Sequence, residues 1–294
     1  MLTKLLLALL IPQLTLLPIS PQVKGRTVDI NKIPGWQKIN RYNIEPIISA
    51  PSAVVIDDET GRILFKKNHS APRPIASITK LMTVYAYLKK TDYDLDRQIT
   101  MLKIDERNGG QRNIYRGETG SARDFLNISL IASDNSAAAA LARAGGFLDN
   151  FADVSAEIAK KLNLKNIDLK EPTGLNPLNA STALDIARLG QAVFSQIGIS
   201  EIASQAQYIF SPLNSTRKRI IKSTNDLLGT SLFKITAAKT GYTKDAGYCL
   251  VLKAGQIDKN SNKRIIIAIL GAPTSEDRFQ DAKALAWWVF ENFE

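Results

Sequence analysis

Ser77 and Lys80 stand three residues apart in the stretch ASITKLMTVYAYL, residues 76–88. An apolar helical stripe follows them. Positions three apart share one face of a helix, so a hydroxyl and an amine are brought within reach of each other. A serine hydroxyl is a poor nucleophile until a neighbour takes its proton. Lysine can do so only when neutral, and its free pKa is about 10.4. The positive end of the helix dipole, burial, and a second cation would each lower that value. The pair could therefore be a nucleophile and its base. Two specified positions also recur by chance, so the pair needs support from elsewhere in the chain.

Two further stretches supply it. Ser133-Asp134-Asn135 interrupts a helical pattern between LNISLIA and AAAALARA. Such a triplet is either an exposed interhelical turn or a set of polar groups aimed into a cleft. In the second case Ser133 relays protons and Asn135 bonds a substrate amide. Lys239-Thr240-Gly241, in AAKTGYTKDAGYCLV, reads as part of a strand. Glycine in a strand permits close approach of a ligand backbone, and lysine and threonine beside it can bind a carboxylate. Lys239 would also be the second cation that depresses Lys80. The plain alternative is an edge strand with a solvated lysine.

Ser-x-x-Lys, Ser-Asp-Asn and Lys-Thr-Gly, in that order, form the motif set of penicillin-binding proteins and class A β-lactamases. The resemblance extends further. VVIDDETGRILFKKN, PIASITKLMT, PTGLN, STALDIARL, STNDLL and KTGYTKDAGYCLV all resemble the serine D-Ala-D-Ala carboxypeptidases, the low-molecular-mass penicillin-binding proteins. Coverage runs from about residue 50 to the final helix. The resemblance implies that Ser77 attacks the carbonyl between two D-alanines of a peptidoglycan stem peptide and forms an acyl-enzyme that water cleaves. It implies Lys80 as general base, Ser133 as proton relay and Asn135 as the holder of the substrate amide. Lys239, Thr240 and Gly241 would receive the terminal D-Ala and its carboxylate. The backbone N–H groups of Ser77 and Tyr242 would form the oxyanion hole, worth about 2.7–4 kcal/mol per donor in a comparable hydrolase. β-Lactam antibiotics would acylate Ser77, and no cofactor or metal is implied.

The motifs depart from the family pattern at Asp134, where many carboxypeptidases have glycine; its side chain is expected to face away from substrate. Several alternatives share the motifs. A class A β-lactamase carries a deacylating glutamate in a Glu-x-x-Leu-Asn loop. Here Glu171 precedes Leu175 by four residues, and it is expected to be a surface residue. A D,D-endopeptidase would use the same machinery on crosslinks. A penicillin-responsive sensor is expected to carry membrane helices or a signalling domain, which the sequence does not suggest, and a scaffold with a degraded site would not need three intact motifs.

The elements around these motifs follow from periodicity. SAVVIDDETGRILFKKN reads as a hairpin turning at residues 58–61. From Ile75 to about Phe194 the pattern is mainly helical. GYCLVLKAG and KRIIIAILGA are β-rich, and SEDRFQDAKALAWWVFENF is a closing helix with Ser275 as its N-cap. Strands at both ends with helices between predict one antiparallel sheet flanked by helices, with an all-helical lobe inserted. This is an α/β architecture, and the resemblance implies the β-lactamase/DD-peptidase-like fold.

The 294 residues are 45% hydrophobic, enough for a sizeable core. One cysteine excludes an internal disulfide, and one histidine with one cysteine leaves too few ligands for a His/Cys zinc site. His69, in KNHSAPRP, is expected in a surface loop. The net charge of +10 comes from scattered basic residues without a nucleic-acid motif, so no nucleic-acid partner is expected. Residues 1–24, with one early lysine and an apolar run broken by Pro12 and Pro18, read as a signal peptide or N-terminal anchor. Residues 25–45 read as a linker or arm, and 46–294 as the catalytic domain. The expected location is periplasmic or otherwise extracytoplasmic, with any membrane contact made through the N-terminus alone.

Overall fold

The computed structural model describes residues 38–39, 44–257 and 263–293. The leader at 1–24 lies outside the described residues. So does most of the arm at 25–45. Among the described residues no helix is long and apolar enough to cross a membrane.

Five strands form the central sheet: β1 (Ser52–Asp57), β2 (Ile63–Lys67), β3 (Lys234–Thr243), β4 (Gly247–Gly255) and β5 (Arg264–Ala272). Their order is β3-β4-β5-β1-β2, antiparallel throughout. The chain's two β-rich ends therefore meet where β1 pairs with β5. In β5 the continuous apolar run splits by pleat. Ile266, Ala268 and Leu270 pack with the helical lobe, while Ile265, Ile267 and Ile269 pack against the closing helix. A strand buried on both faces needs no polar alternation. At about 1.5–3 kcal/mol for each buried isoleucine, this strand is a main source of sheet stability.

The lobe between β2 and β3 comprises α1 (Lys80–Lys90), α2 (Ala122–Ile131), α3 (Asn135–Ala144), α4 (Phe151–Lys161), α5 (Ala183–Phe194) and α6 (Ile199–Ala203). The alanine-rich α3 is buried from Asn135 to Ala142. Small side chains on every face let neighbouring helices approach it closely. The antiparallel sheet agrees with the reading of the sequence, while the inserted lobe is mainly rather than all helical. Short antiparallel pairs such as Gln98–Thr100 with Thr119–Ser121 and Gln207–Phe210 with Arg219–Lys222 interrupt it, the second pair where β-branched and aromatic residues favour extended chain.

The closing helix α7 (Ser275–Asn292) covers the other sheet face. Its N-cap is Thr274, whose Oγ1 accepts from Asp277 N at 3.0 Å. The cap thus lies one residue before the expected Ser275, because Thr274 is still extended and its hydroxyl reaches the third amide of the turn. Asp281 accepts from Ser49 N at 2.9 Å and Ala50 N at 2.8 Å. Trp288 Nε1 donates to Ile44 O at 2.9 Å. These bonds fasten the segment leading into β1 onto α7.

Candidate active site

Ser77 lies in a 3₁₀ turn, Ala76–Thr79, that runs directly into α1. The sequence predicts a single helix here. The tighter turn serves the pair better, because side chains three apart nearly eclipse in a 3₁₀ helix. Lys80 is fully buried. Its Nζ lies 2.8 Å from Ser77 Oγ, 2.7 Å from Asn135 Oδ1 and 2.7 Å from the carbonyl oxygen of Thr173. Two glycines make the crowding around Ser77 feasible. A Cβ on Gly174 would lie 2.0 Å from Ala76 O, and one on Gly241 would lie 3.1 Å from Ser77 N. Ala76 itself adopts φ +47°, a left-handed conformation that costs a non-glycine residue about 1–3 kcal/mol.

The Ser133-Asp134-Asn135 triplet occupies the break between α2 and α3. Ser133 is left-handed, φ +60°, and its Oγ accepts from Lys239 Nζ at 2.8 Å. Asp134 caps α3, accepting from Ala137 N at 3.0 Å through Oδ1. Its Oδ2 accepts from Asn113 N at 2.6 Å. As expected, Asp134 points away from the cleft that Ser133 and Asn135 line. Asn135 spends Oδ1 on Lys80, and its Nδ2 donates to Gly109 O at 2.9 Å.

Lys239, Thr240, Gly241 and Tyr242 lie on β3, the edge strand beside the cleft. Lys239 is buried and donates to Thr240 O at 2.7 Å as well as to Ser133. Thr240 Oγ1 is 2.5 Å from Thr224 Oγ1. Tyr242 is half exposed and stacks on Tyr248 at 4.2 Å between ring centroids. The cleft has a volume of about 420 Å³, and Ser77, Ser133, Asn135, Thr240, Gly241 and Tyr242 all open onto it. The two lysines complete the cluster from beneath. Every residue singled out in the three motifs is therefore brought to one place.

Burial lowers the Lys80 pKa to about 7, against the opposing pull of the Glu171 and Asp134 carboxylates. Lys239 is held well below the usual lysine value by burial first, then by the charges of Lys80 and Arg278. This reverses the sequence expectation that Lys239 acts as the cation depressing Lys80. Desolvation is the largest cause at both amines, and at Lys80 the carboxylates of Glu171 and Asp134 oppose it.

Glu171 is not the surface residue expected. It is half buried, and its carboxylate accepts from the amides of Thr173, Gly174 and Leu175 at 2.8, 2.6 and 2.9 Å. These bonds fold the loop whose Thr173 carbonyl meets Lys80. Glu171 does not line the cleft. His69 sits half exposed between β2 and the 3₁₀ turn, also outside the cleft.

The sequence reading missed Arg278 and Thr224, both of which line the cleft. Arg278 is 6% exposed, and among the described residues no carboxylate pairs with it. It stacks over Phe279 at 4.5 Å and donates to Ser275 Oγ at 3.1 Å. A lone arginine on the buried stripe of α7, in phase with Ala282 and Leu285, was the available signal. Thr224 lies within STNDLL, a segment noted only for its resemblance.

A family described as D-alanyl-D-alanine carboxypeptidase matches residues 40–274, which is most of the chain. The chain belongs to that family. It is accordingly a serine peptidase, a hydrolase, with the α/β fold of the DD-peptidases. It is 32% identical to a D-alanyl-D-alanine endopeptidase of Pseudomonas aeruginosa, over 82% of this chain and 77% of that one. It is 29% identical to the D-alanyl-D-alanine carboxypeptidase DacF of Bacillus subtilis, over 83% of this chain and 63% of that one. Penicillin-binding protein D2 of Listeria monocytogenes, solved in a cefotaxime-bound form, superposes with a TM-score of 0.73 at 30% identity, covering 84% of this chain and all of that one. Two serines of the cleft contact buried amines, Ser77 that of Lys80 and Ser133 that of Lys239.

Proposed function

We propose that this protein is an extracytoplasmic D,D-carboxypeptidase that removes the terminal D-alanine of peptidoglycan stem peptides through an acyl-enzyme on Ser77. The single observation that carries the reading is the 2.8 Å contact between Ser77 Oγ and the amine of Lys80, with a pKa lowered to about 7. Near neutral pH a large share of that amine is unprotonated. Its two hydrogens then match two groups that can only accept, Thr173 O and Asn135 Oδ1. The lone pair is left for the Ser77 hydroxyl.

In the first step Ser77 Oγ attacks the carbonyl between the two D-alanines and its proton passes to Lys80. The amides of Ser77 and Tyr242 receive the developing oxyanion. Gly241 supports this placement, because it lets β3 run directly against the Ser77 amide. Ser133 carries a proton to the departing amine, and D-alanine leaves. Water then cleaves the Ser77 ester and restores the hydroxyl. Asn135 offers its amide to the acyl donor, and the edge of β3 can take an extended peptide as one more strand. Arg278, Thr240 and Lys239 receive the terminal carboxylate. A β-lactam bears the same carboxylate and a strained amide, so it acylates Ser77 as well.

A second reading, D,D-endopeptidase action on crosslinks, is favoured by the likeness to the Pseudomonas endopeptidase, which the chain covers more fully than it covers DacF. A β-lactamase role for Glu171 is disfavoured, since its oxygens already accept from its own loop.

The experiment is mass spectrometry of the protein and products after incubation with purified pentapeptide monomers and cross-linked dimers. Free D-alanine with an acyl adduct on Ser77 supports the carboxypeptidase. Splitting of dimers without D-alanine release replaces it with the endopeptidase. Covalent penicillin labelling that survives Ser77→Ala removes the assignment altogether.

A further inference from the structure

The loop at residues 107–113 is fastened at both ends to the start of α3. Arg107 N donates to Ser136 Oγ at 3.0 Å. Asn113 N donates to Asp134 Oδ2 at 2.6 Å. Ser136 and Asp134 flank Asn135. The loop and the asparagine are thus held as one body, and between the fastenings Gly109 O accepts from Asn135 Nδ2 at 2.9 Å.

This contact matters because the asparagine amide has two ends of nearly equal shape. One orientation presents Oδ1 to Lys80, and the other presents Nδ2–H. An ammonium group would select the first without help. A neutral amine would not, because its lone pair can accept from Nδ2–H. A flipped amide would then occupy the lone pair that the Ser77 hydroxyl needs. A backbone carbonyl can only accept. Gly109 O therefore holds Nδ2 on the loop side and Oδ1 on the lysine side, whatever the state of Lys80.

We infer that the 107–113 loop is a positioning element of the active site, in which the carbonyl of Gly109, tethered through Ser136 and Asp134, locks the Asn135 amide so that the lone pair of Lys80 remains directed at Ser77. This rests on the reading of Ser77 and Lys80 as nucleophile and base. It adds a role for a segment outside the three motifs, and it assigns Asp134 a task that glycine at that position could not perform.

The test measures the second-order rate of acylation by a fluorescent penicillin across pH 5–9. The wild type is compared with Ser136→Ala and with a variant carrying one extra glycine inserted after Gly110. The charged groups facing Lys80, namely Glu171, Asp134 and Lys239, are the same in all three proteins. Slackening the loop is expected to lower the alkaline plateau about three- to tenfold, the worth of one hydrogen bond. The rising limb is also expected to move to lower pH, because a flipped amide donates to the neutral amine and stabilises it. A lower plateau with an unmoved limb would mean loss of folded enzyme only, and would overturn the inference. Unchanged rates would overturn it too. A wild type that takes no label at all would overturn the acyl-enzyme reading and this inference together, whereas the first two outcomes leave that reading intact. A further measurement needs no variant. In ¹⁵N-labelled wild type, one side-chain amide proton of Asn135 should exchange with water much more slowly than those of exposed asparagines, and fast exchange of both would sink the lock.

Discussion

The carbonyl oxygen of Thr173 lies 2.7 Å from Lys80 Nζ, joining a loop ninety-three residues downstream to the amine proposed as the catalytic base. The contact defines one of three directions around the amine, with Asn135 Oδ1 and Ser77 Oγ in the other two. Protonation adds a hydrogen facing Ser77, and deprotonation turns that direction into an acceptor. Lysine is a base only above its own pKa, so acylation should rise with pH through about 7 and then level off. Lys80→Arg should lose this limb with nearly all activity, because a guanidinium stays protonated throughout the range. Rapid-mixing measurements of penicillin acylation across pH 5–9 check both statements.

Glu171 organises that loop and also places a negative charge near Lys80. In Glu171→Gln the two effects separate. Loss of the charge removes support for the ammonium form, so the rising limb should move to lower pH. Replacing one oxygen by an NH₂ group sets a donor against the backbone amides of the loop. That should lower stability by about 1–3 kcal/mol. The pH profile reads the first effect and urea unfolding reads the second. A limb displaced to higher pH would contradict the sign of the Glu171 contribution.

Arg278 stands where a carboxylate entering the cleft would meet a buried guanidinium lacking a carboxylate partner among the described residues. Arg278→Gln should therefore reduce kcat/KM for substrates ending in a free carboxylate about ten- to a hundredfold. It should erase the preference for acid over amide C-termini. Lys239→Ala should weaken the same preference and also slow turnover, because Lys239 bonds Ser133, the proposed proton relay, at 2.8 Å. Steady-state kinetics on paired acid and amide peptides distinguishes the two variants.

The parts of this site that were legible in the sequence are those in which side-chain identity sets the geometry. Ser77 and Lys80 meet because any helix with about three residues per turn brings them together. The β1–β2 hairpin and the doubly buried β5 announce themselves by apolar content and turn residues. What stayed hidden is carried by the backbone or by depth. Thr173 and Gly109 act through carbonyl oxygens, which have no residue signature. The main cause that lowers both Lys80 and Lys239 is burial, and that is a matter of packing. Glu171 looked like a solvated acid because the amides that bind it are supplied by a loop that forms only around it. Arg278 is a single residue outside every motif, and only the register of α7 against the sheet shows that it reaches the cleft.

Gly174 gives the sharpest test of how tightly the turn bearing Ser77 is held. Its φ is +88°, and an added Cβ would fall 2.0 Å from Ala76 O and 2.8 Å from Ser77 N. Gly146 has a similar φ, +74°, but an added Cβ there would meet nothing within 4 Å. Both glycine-to-alanine changes incur the cost of a left-handed residue, about 1–2 kcal/mol. Only Gly174→Ala must also push the Ala76–Ser77 backbone aside. Gly146→Ala should accordingly lose about 1 kcal/mol with unchanged acylation, while Gly174→Ala should lose about 2–4 kcal/mol. The displaced backbone carries the Ser77 amide proposed for the oxyanion hole, so the folded fraction of Gly174→Ala should also acylate at least tenfold more slowly, the cost of losing part of one donor. Urea midpoints and acylation rates at saturating pH measure the two quantities separately. Equal behaviour of the two variants would show that the loop bearing Thr173 and the turn bearing Ser77 do not constrain each other.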